Sequence, residues 1–445
     1  MENNTLRNVN NSNNNTNDSL NNKLNKIINE NVIPVIFFDE MGLAEISDNN
    51  PLKVIHSELE YDEQRTKVAF VGISNWSLDA SKMNRGIYLS IPEPEEDDLI
   101  KTALSIAESY HNKLEINFKD CYVSLAKGYF NYIKYRKNER NKEFMNFHGS
   151  RDFYHLIKNV SRDFIKCENT IKVLKNNKDE IIKILIRGIE RNFGGLDDSI
   201  SKFKEFVGKY YKFENINNEY NVMNCIGSNI IDYESRYLLI ISKSSLSQIL
   251  IESVLQKKEK NFNFLFGGNF NQNKVHEYYI ARILNKVQVY IDTDSVLVMK
   301  NLESIYPSLY ELFNQSFRKE GQRKKTRISL GKTTNPDPYV DDKFRAIILV
   351  DPEEIEKQDP PFLNRFEKHI ISYEFLLDDH LKKIANQMNK LIKEFIYIEN
   401  KEKIRIDIES QLINCDEEEI FAFLFHNNNE KNIKNIEQND ILKKK

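Results

Sequence analysis

The sequence predicts an α/β fold in which parallel strands are flanked by helices. A run of four large apolar residues at 35–38 ends abruptly in Asp39 and Glu40, and a second apolar run at 68–73 ends in polar residues. From about residue 93 the apolar residues recur with helical spacing. Strands that are covered by helices on both faces read as continuous apolar runs. Polar side chains at the carboxyl ends of such strands are placed where ligands bind.

The two carboxylates after the first run have the pattern of a Walker B motif. In such a site Asp39 holds Mg²⁺, and Glu40 orients the water that attacks the γ-phosphate of ATP. A strand followed by an acid also occurs in many unrelated folds, so this motif alone is a weak signal.

The order of the following residues strengthens the prediction. Asn75, at the tip of the second strand, suits a sensor 1 position, because an amide can bond both the γ-phosphate and water without adding negative charge. Arg85 follows before another strand-like stretch at 87–91 and suits an arginine finger, since its guanidinium is always charged and bidentate. This order is that of an AAA+ ATPase core. The alternative is an unrelated α/β sheet with polar surface residues.

Longer stretches resemble the mysterin family of giant AAA+ proteins, which carry a ring finger and act as E3 ubiquitin-protein ligases. The similar segments are residues 38–45, 50–56, 71–79, 82–86, 150–158, 191–195 and 361–369. They resemble the third and fourth AAA+ units of that family. The resemblance implies P-loop-type cores with α-helical lids, ATP and Mg²⁺ as cofactors, and neighbouring AAA+ modules as partners. In a complete protein it also implies ubiquitin machinery and a cytoplasmic location.

Composition narrows the function further. The net charge of the 445 residues is only −3, which argues against nucleic acid as a partner. No run is long and apolar enough to predict a transmembrane segment. The four cysteines are too widely spaced for a local zinc motif and are predicted to be reduced thiols of a cytosolic protein, so the cysteine-rich elements of ubiquitin transfer are not recognised in this sequence.

The first AAA+ core is predicted to be incomplete. Residues 1–30 are Asn-rich and predicted to be disordered, and residues 31–92 contain the second half of a core. No Gly-x-x-x-x-Gly-Lys-Ser/Thr sequence precedes Asp39. We therefore expect a fragment that binds ATP and Mg²⁺ weakly or not at all by itself, and both a gene-model fragment and a truncated protein remain open.

Residues 93–195 are predicted to form a helical lid, with helices near 93–111, 118–135, 151–168 and 177–191. Arg151 matches a sensor 2 position that reaches the γ-phosphate. A pairing of Arg151 with Asp152 or another neighbouring acid is an equally weighted alternative. The Gly194-Gly195 pair predicts a domain boundary, followed by a helical linker at 196–236.

Residues 237–375 predict a second, degenerate core. Lys243 and Ser244 stand at a strand-to-helix junction where a P-loop lysine and hydroxyl would lie, but the phosphate-wrapping glycines are missing. The sequence therefore allows a degenerate nucleotide site or a plain turn. Lys300 at the Walker B position argues against normal Mg²⁺ handling. The negative charge of Asp351 at the sensor position opposes a γ-phosphate, which also indicates a weakened site.

The rest of the second core carries weaker signals. Arg365 parallels Arg85 and suits action on a neighbouring nucleotide site; the alternative is a salt bridge to Glu367 or to nearby acids. Residues 303–317 predict one amphipathic helix, and the basic stretch at 318–327 predicts a solvated turn rather than a phosphate-binding loop. A partial helical lid at 376–426 and a disordered tail at 427–445 complete the prediction.

Two functions are compatible with this organisation. The first is an ATPase module of a mysterin-like ligase, in which Asp39, Glu40, Asn75 and Arg151 contribute to a site whose P-loop comes from elsewhere. The second is a non-catalytic AAA+ scaffold or interaction protein, which the degenerate second core favours.

Overall fold

The fold is described from a computed structural model. It describes residues 34–39, 41–46, 51–54, 59, 68–74, 77–110, 116–138, 144–170, 178–213, 221–268, 273–329, 335–355, 357–401 and 418–426. The chain divides into two compact units, Met1–Glu93 and Pro94–Lys445.

The first unit contains a two-stranded parallel sheet. Strand β1 (Val35–Phe38) pairs with β2 (Ala69–Gly72), and between them lie helix α1 (Met41–Ile46) and a 3₁₀ helix (Pro51–Val54). Both strands were predicted, but burial of β1 on both faces was not confirmed: its four side chains are 42–57% exposed. The described part of this unit contains only a two-stranded sheet. Its helices do not cover the faces of β1 as they would in a layered α/β sheet.

The strand predicted at 87–91 is also absent. Helix α2 (Ala80–Met83) is followed by extended chain in which Ile87, Leu89 and Ile91 are 81–93% exposed. This segment pairs with no strand in the described part of the chain, because none lies beside it to supply a ladder.

The second unit begins with helices that pack around one apolar core. They are α3 (Glu96–Tyr110), α4 (Ile116–Asn138), α5 (Ser150–Thr170), α6 (Lys178–Asn192) and α7 (Ser199–Gly208). On α3, Leu99, Ala103 and Ala107 are buried and recur every four residues, which places them on one helical face. The predicted helical region is therefore confirmed.

A five-stranded parallel sheet follows. Its strands are β3 (Tyr237–Ile241), β4 (Phe262–Phe266), β5 (Val296–Lys300), β9 (Arg345–Val350) and β10 (Phe366–Ile370), in the spatial order β10-β3-β9-β5-β4. Counted along the chain, this order is 5-1-4-3-2. The order reverses at β3, so the crevice at its carboxyl end is the expected ligand position.

Helices cover both faces of this sheet. Side chains of α10 (Asn273–Ile291) and α11 (Tyr310–Phe313) pack in the apolar cluster on one face. The other face is covered by α8 (Val222–Ile230), α9 (Ser247–Lys257), α14 (Asp379–Lys401) and a helix at 418–426. Short helices α12 (Pro352–Ile355) and α13 (Pro360–Leu363) precede β10. The second core is thus a three-layer α/β/α sandwich, as predicted.

Two predicted elements of this core were wrong. The helix expected at 303–317 is a 3₁₀ helix (Tyr306–Leu309) followed by the single turn of α11, which ends because Gln315 adopts a left-handed φ of 55°. The basic stretch at 318–327 is mainly a hairpin of β6 (Arg318–Glu320) and β7 (Arg323–Lys325), which continues to β8 (Tyr339–Val340).

Gly194 and Gly195 lie in close contact with the sheet. A Cβ on Gly194 would lie 2.6 Å from the carbonyl oxygen of Lys368 in β10, and Gly195 has a φ of 90°. The pair therefore lets α6 approach β10, and Pro94–Lys445 forms one compact unit. The finer division into lid, linker and core remains a prediction. No helix in the described residues is long and apolar enough to cross a membrane.

Gly267 marks another close approach, at the end of β4. A Cβ there would lie 1.4 Å from the carbonyl oxygen of Asn301, so a side chain requires the main chain to move. We expect Gly267→Ala to lower the free energy of unfolding by about 1 kcal/mol or more, measured by urea denaturation. Gly208→Ala is the matched control, because its Cβ meets only Phe213 at an ordinary 3.6 Å. Equal stability of the two variants would contradict the close approach.

Candidate functional site

The carboxyl ends of β1 and β2 lie side by side. Phe38 is paired with Gly72, the amide of Ile73 donates to the carbonyl of Phe38 at 2.9 Å, and the amide of Met41 donates to the carbonyl of Ile73 at 2.9 Å. Asp39, the first residue after β1, and Ser74, the second residue after β2, therefore emerge at the same edge. Glu40 and Asn75, the predicted catalytic carboxylate and sensor, lie outside the described residues.

Asp39 has the donor chemistry of a Mg²⁺ ligand. Its side chain is exposed at the strand end. The described residues contain no group of three or more histidine, cysteine, aspartate or glutamate side chains that could hold a metal ion. Mg²⁺ in nucleotide sites is usually held by one or two carboxylates together with phosphates and water. Asp39 therefore fits a magnesium ion delivered with a nucleotide.

Arg85 lies just after α2 in the same unit. The aspartate at the N-cap of α2, Asp79, accepts from the amide of Lys82 at 3.0 Å. Arg85 returns to this helix, where its Nη1 donates to the carbonyl of Ser81 at 2.5 Å. The guanidinium is half-buried and held near the helix. Its role as an arginine finger remains a prediction.

In the second core, the metal position is filled by a salt bridge. Lys300 ends β5 and is paired with Leu349 of β9, so it lies next to Asp351, the first residue after that strand. The Nζ of Lys300 is 3.1 Å from the Oδ1 of Asp351. An ammonium group repels a divalent cation, so these residues do not fit Mg²⁺.

The turn after β3 contains the predicted nucleotide-contacting pair. Lys243 is exposed, whereas Ser244 is fully buried. Ser244 Oγ donates to Glu419 Oε2 at 3.0 Å and accepts from the amide of Leu246 at 3.1 Å. The hydroxyl is thus already bonded within the chain. Glu419 was not singled out in the sequence, because one acid in a partial helical lid carries no signal of its own.

The two remaining predicted arginines meet at one acceptor. The Nη1 of Arg151 and the Nε of Arg365 each donate to Asn314 Oδ1 at 2.8 Å. The guanidinium of Arg365 also stacks over the Tyr310 ring, 4.0 Å from its centroid. Of the acids named as alternative partners, Asp152 bonds Arg236 and Lys368, and Glu367 bonds Arg191.

Asp152 is fully buried at the start of α5. It accepts from Arg236 Nη1 at 2.7 Å, from Lys368 Nζ at 2.8 Å and from the amide of Gly149 at 2.8 Å. Burial alone would raise the pKa of Asp152, but the two cations hold it below its ordinary value. This carboxylate links the helical region to the sheet.

Glu367 in β10 has a similar role. Its carboxylate accepts from Arg191 Nε at 3.0 Å, from Arg191 Nη2 at 2.9 Å and from Asn229 Nδ2 at 2.7 Å. Burial opposes its ionisation, yet the Arg191 guanidinium holds the pKa of Glu367 well below its usual range. Neither network was predicted, because the partners are separated by up to 216 residues in the sequence.

The parallel five-stranded sheet, its 5-1-4-3-2 order and the helices on both faces define a P-loop-type core of the AAA class. Comparison with known families shows which AAA proteins this chain is similar to. Residues 5–98 and residues 227–377 each match a family model described as an RNF213 AAA domain. The chain therefore belongs to the RNF213, or mysterin, family of AAA proteins.

Individual relatives agree. The chain is 30% identical to E3 ubiquitin-protein ligase RNF213 of Homo sapiens over 388 residues, and 30% identical to rnf213-beta of Danio rerio over 386 residues. It is 31% identical to RNF213 of Mus musculus over 382 residues. These alignments cover 82–83% of this chain and 7% of each relative. The chain thus spans about 7% of the length of these relatives.

Proposed function

We propose that this chain is an ATP-hydrolysing module of a mysterin-like E3 ubiquitin-protein ligase, with the site of hydrolysis on the first unit. The observation that supports it is the parallel pairing of β1 and β2, which brings Asp39 and Ser74 to one edge. In this proposal Asp39 holds the Mg²⁺ of ATP, Glu40 orients the attacking water, Asn75 contacts the γ-phosphate, and Arg85 acts on a neighbouring site.

The cradle for the phosphates comes from elsewhere, because no Gly-x-x-x-x-Gly-Lys-Ser/Thr sequence precedes Asp39 in this chain. The partners in this proposal are neighbouring AAA modules. In this proposal the larger mysterin-like protein carries a ring finger, transfers ubiquitin and is cytoplasmic. This chain corresponds to its third and fourth AAA+ units.

A second function is supported by the salt bridge between Lys300 and Asp351. Because a lysine occupies the metal position, the second core acts as a non-catalytic scaffold that supports its neighbours. The two functions are compatible within one chain, since each concerns a different unit. Arg151 and Arg365 then belong to the scaffold, where both bond Asn314.

The test is equilibrium binding of a fluorescent ATP analogue to the 445-residue chain, with and without Mg²⁺. We expect binding weaker than micromolar, with a Mg²⁺-dependent component that Asp39→Asn removes and the control Lys243→Ala leaves unchanged. Where hydrolysis is measurable, Glu40→Gln is expected to lower it by about 100-fold or more while ATP stays bound. Micromolar binding that Lys243→Ala abolishes would instead place the nucleotide on the second core.

A further inference from the structure

We propose that the second core is sealed by its own side chain: the carboxylate of Glu419 lies in the turn at 242–246 and excludes phosphate from it. This inference goes beyond the function proposed above and does not depend on hydrolysis by the first unit. The ligand class that the seal excludes is a phosphate or polyphosphate anion.

The contacts of Glu419 are those of an anion in a phosphate-binding turn. Its Oε1 accepts from the amide of Ser245 at 2.5 Å, and its Oε2 accepts from the Ser244 hydroxyl at 3.0 Å. Glu419 is 8% exposed and Ser244 is fully buried. A main-chain amide and a hydroxyl that converge on one carboxylate are the donors that a phosphate would otherwise receive.

The turn at 242–246 also lies where α/β sheets bind phosphate ligands. It follows β3, the strand at which the order of the sheet reverses, and it leads into the 11-residue helix α9. The amide of Ser242 donates to the carbonyl of Val350 at 3.1 Å, which fixes the turn against the end of β9. Ligands of open α/β sheets bind in this crevice, and a helix N-terminus favours negative charge there.

The same turn contains a buried hydroxyl without a partner. Ser242 is 4% exposed, and its Oγ has no hydrogen-bond partner in the described part of the chain. A buried hydroxyl is normally satisfied, because its desolvation is costly. The Ser242 hydroxyl is therefore a further polar group of this turn that the contacts of Glu419 leave unused.

The neighbouring metal position is closed in the same way. Lys300 lies 3.1 Å from Asp351. Asp351 follows β9, which is next to β3 in the sheet, and Lys300 ends β5, which is next to β9. The chain therefore supplies its own cation and its own anion at the edge where other P-loop-type cores hold Mg²⁺ and phosphate.

The helix at 418–426 holds the carboxylate in place. Ile420, Phe421 and Ala422 are buried in the apolar layer over the sheet. Glu418 Oε1 accepts from the amide of Tyr373 at 2.5 Å, and the Tyr373 hydroxyl lies 3.1 Å from His426 Nε2. These contacts hold the helix against the sheet and keep Glu419 at the turn.

The test is isothermal titration of the full chain with pyrophosphate in the absence of Mg²⁺. We expect no saturable binding by the wild-type chain and a gain of at least about tenfold in affinity for Glu419→Ala, because the vacated donors then face solvent. Lys243→Ala in the Glu419→Ala background should reduce the gained affinity. Glu259→Ala is the control: it removes an exposed carboxylate just after α9 and leaves the contacts of Glu419 in place.

Two results would overturn the seal. One is wild-type binding of pyrophosphate as tight as that of Glu419→Ala; the other is a folded Glu419→Ala chain that gains no binding. If Glu419→Ala does not fold, Glu419→Gln can be used instead, because it removes the charge with little change of shape. A gain in affinity for pyrophosphate is then also expected, but a smaller one. Asp39→Asn should leave the gained binding unchanged, which separates this test from that of the first unit.

Discussion

Replacing Asp152 by asparagine is expected to lower the free energy of unfolding by about 3–5 kcal/mol. Asparagine has nearly the same shape, but it leaves the ammonium of Lys368 and the guanidinium of Arg236 buried without their shared negative charge. Lys368 and Asp152 have fully buried side chains, so water cannot replace the lost interaction. Chemical denaturation of the wild type and the variant at neutral pH measures the difference.

A partly exposed ion pair supplies the control for this prediction. Glu205 lies 3.0 Å from Lys202, and the two side chains are 53% and 38% exposed. We expect Glu205→Gln to cost no more than about 1 kcal/mol, because water solvates the remaining cation. Similar costs for the two variants would show that the buried network around Asp152 does not hold the unit together.

The acid dependence of the Asp152 effect has a definite sign. The folded-state pKa of Asp152 is lowered, so the unfolded chain takes up a proton at a higher pH than the folded one. Its contribution to stability is fully present above the unfolded value of about 4 and is lost as the pH falls through the lower folded pKa. The difference between the wild type and Asp152→Asn should therefore shrink in acid.

Sequence patterns were sufficient for the parts of the fold whose strands are apolar. The segments that form β3, β4, β5 and β9 are mainly apolar runs in the sequence, which is typical of a covered parallel sheet. Strand β10 was missed, because three of its five residues are Glu367, Lys368 and His369, which are nearly fully buried. Such residues can enter a sheet only when distant partners neutralise them.

In the candidate sites, too, local sequence patterns do not reveal contacts between residues that are far apart in the chain. Asp39 was recognised because its role depends on the residues next to it, and the structure places it at a strand end. Arg151 and Arg365 were recognised as arginines suited to phosphate, but their common acceptor Asn314 is a single amide with no local motif. Glu419 lies 174 residues from the amide that it accepts from. Contacts over such separations depend on packing that spacing does not reveal.

Because of His148, the free energy of unfolding is expected to fall by about 1.4 kcal/mol for each unit by which the pH is lowered below 6.5. Its ring joins two fixed partners: Nδ1 lies 2.8 Å from the Tyr132 hydroxyl, and Nε2 lies 2.9 Å from the carbonyl of Gly194. A neutral ring with its hydrogen on Nε2 satisfies both, by donating to the carbonyl and accepting from the hydroxyl. A second proton on Nδ1 would remove that acceptor.

The direction of this pH dependence follows from the lowered pKa of His148. Burial and, after it, the Lys368 ammonium lower the pKa of His148 to about 3; Asp152 opposes this, and Arg136 adds to it. The unfolded chain binds a proton near pH 6.5, whereas the folded chain does not bind it until about pH 3. Stability is therefore fully present above pH 6.5 and falls across that window.

The measurement is the free energy of unfolding of the wild type and His148→Gln at several pH values between 7 and 4.5. The variant should show the shallower slope, because glutamine cannot take up a proton; the difference should reach about 3 kcal/mol over two pH units below 6.5. His155, whose pKa is also lowered by burial, remains in both proteins and contributes equally. His380→Gln, a change at an exposed position of α14, is the control and should keep the wild-type slope. Parallel slopes for the wild type and His148→Gln would mean that the proton on His148 does not oppose folding.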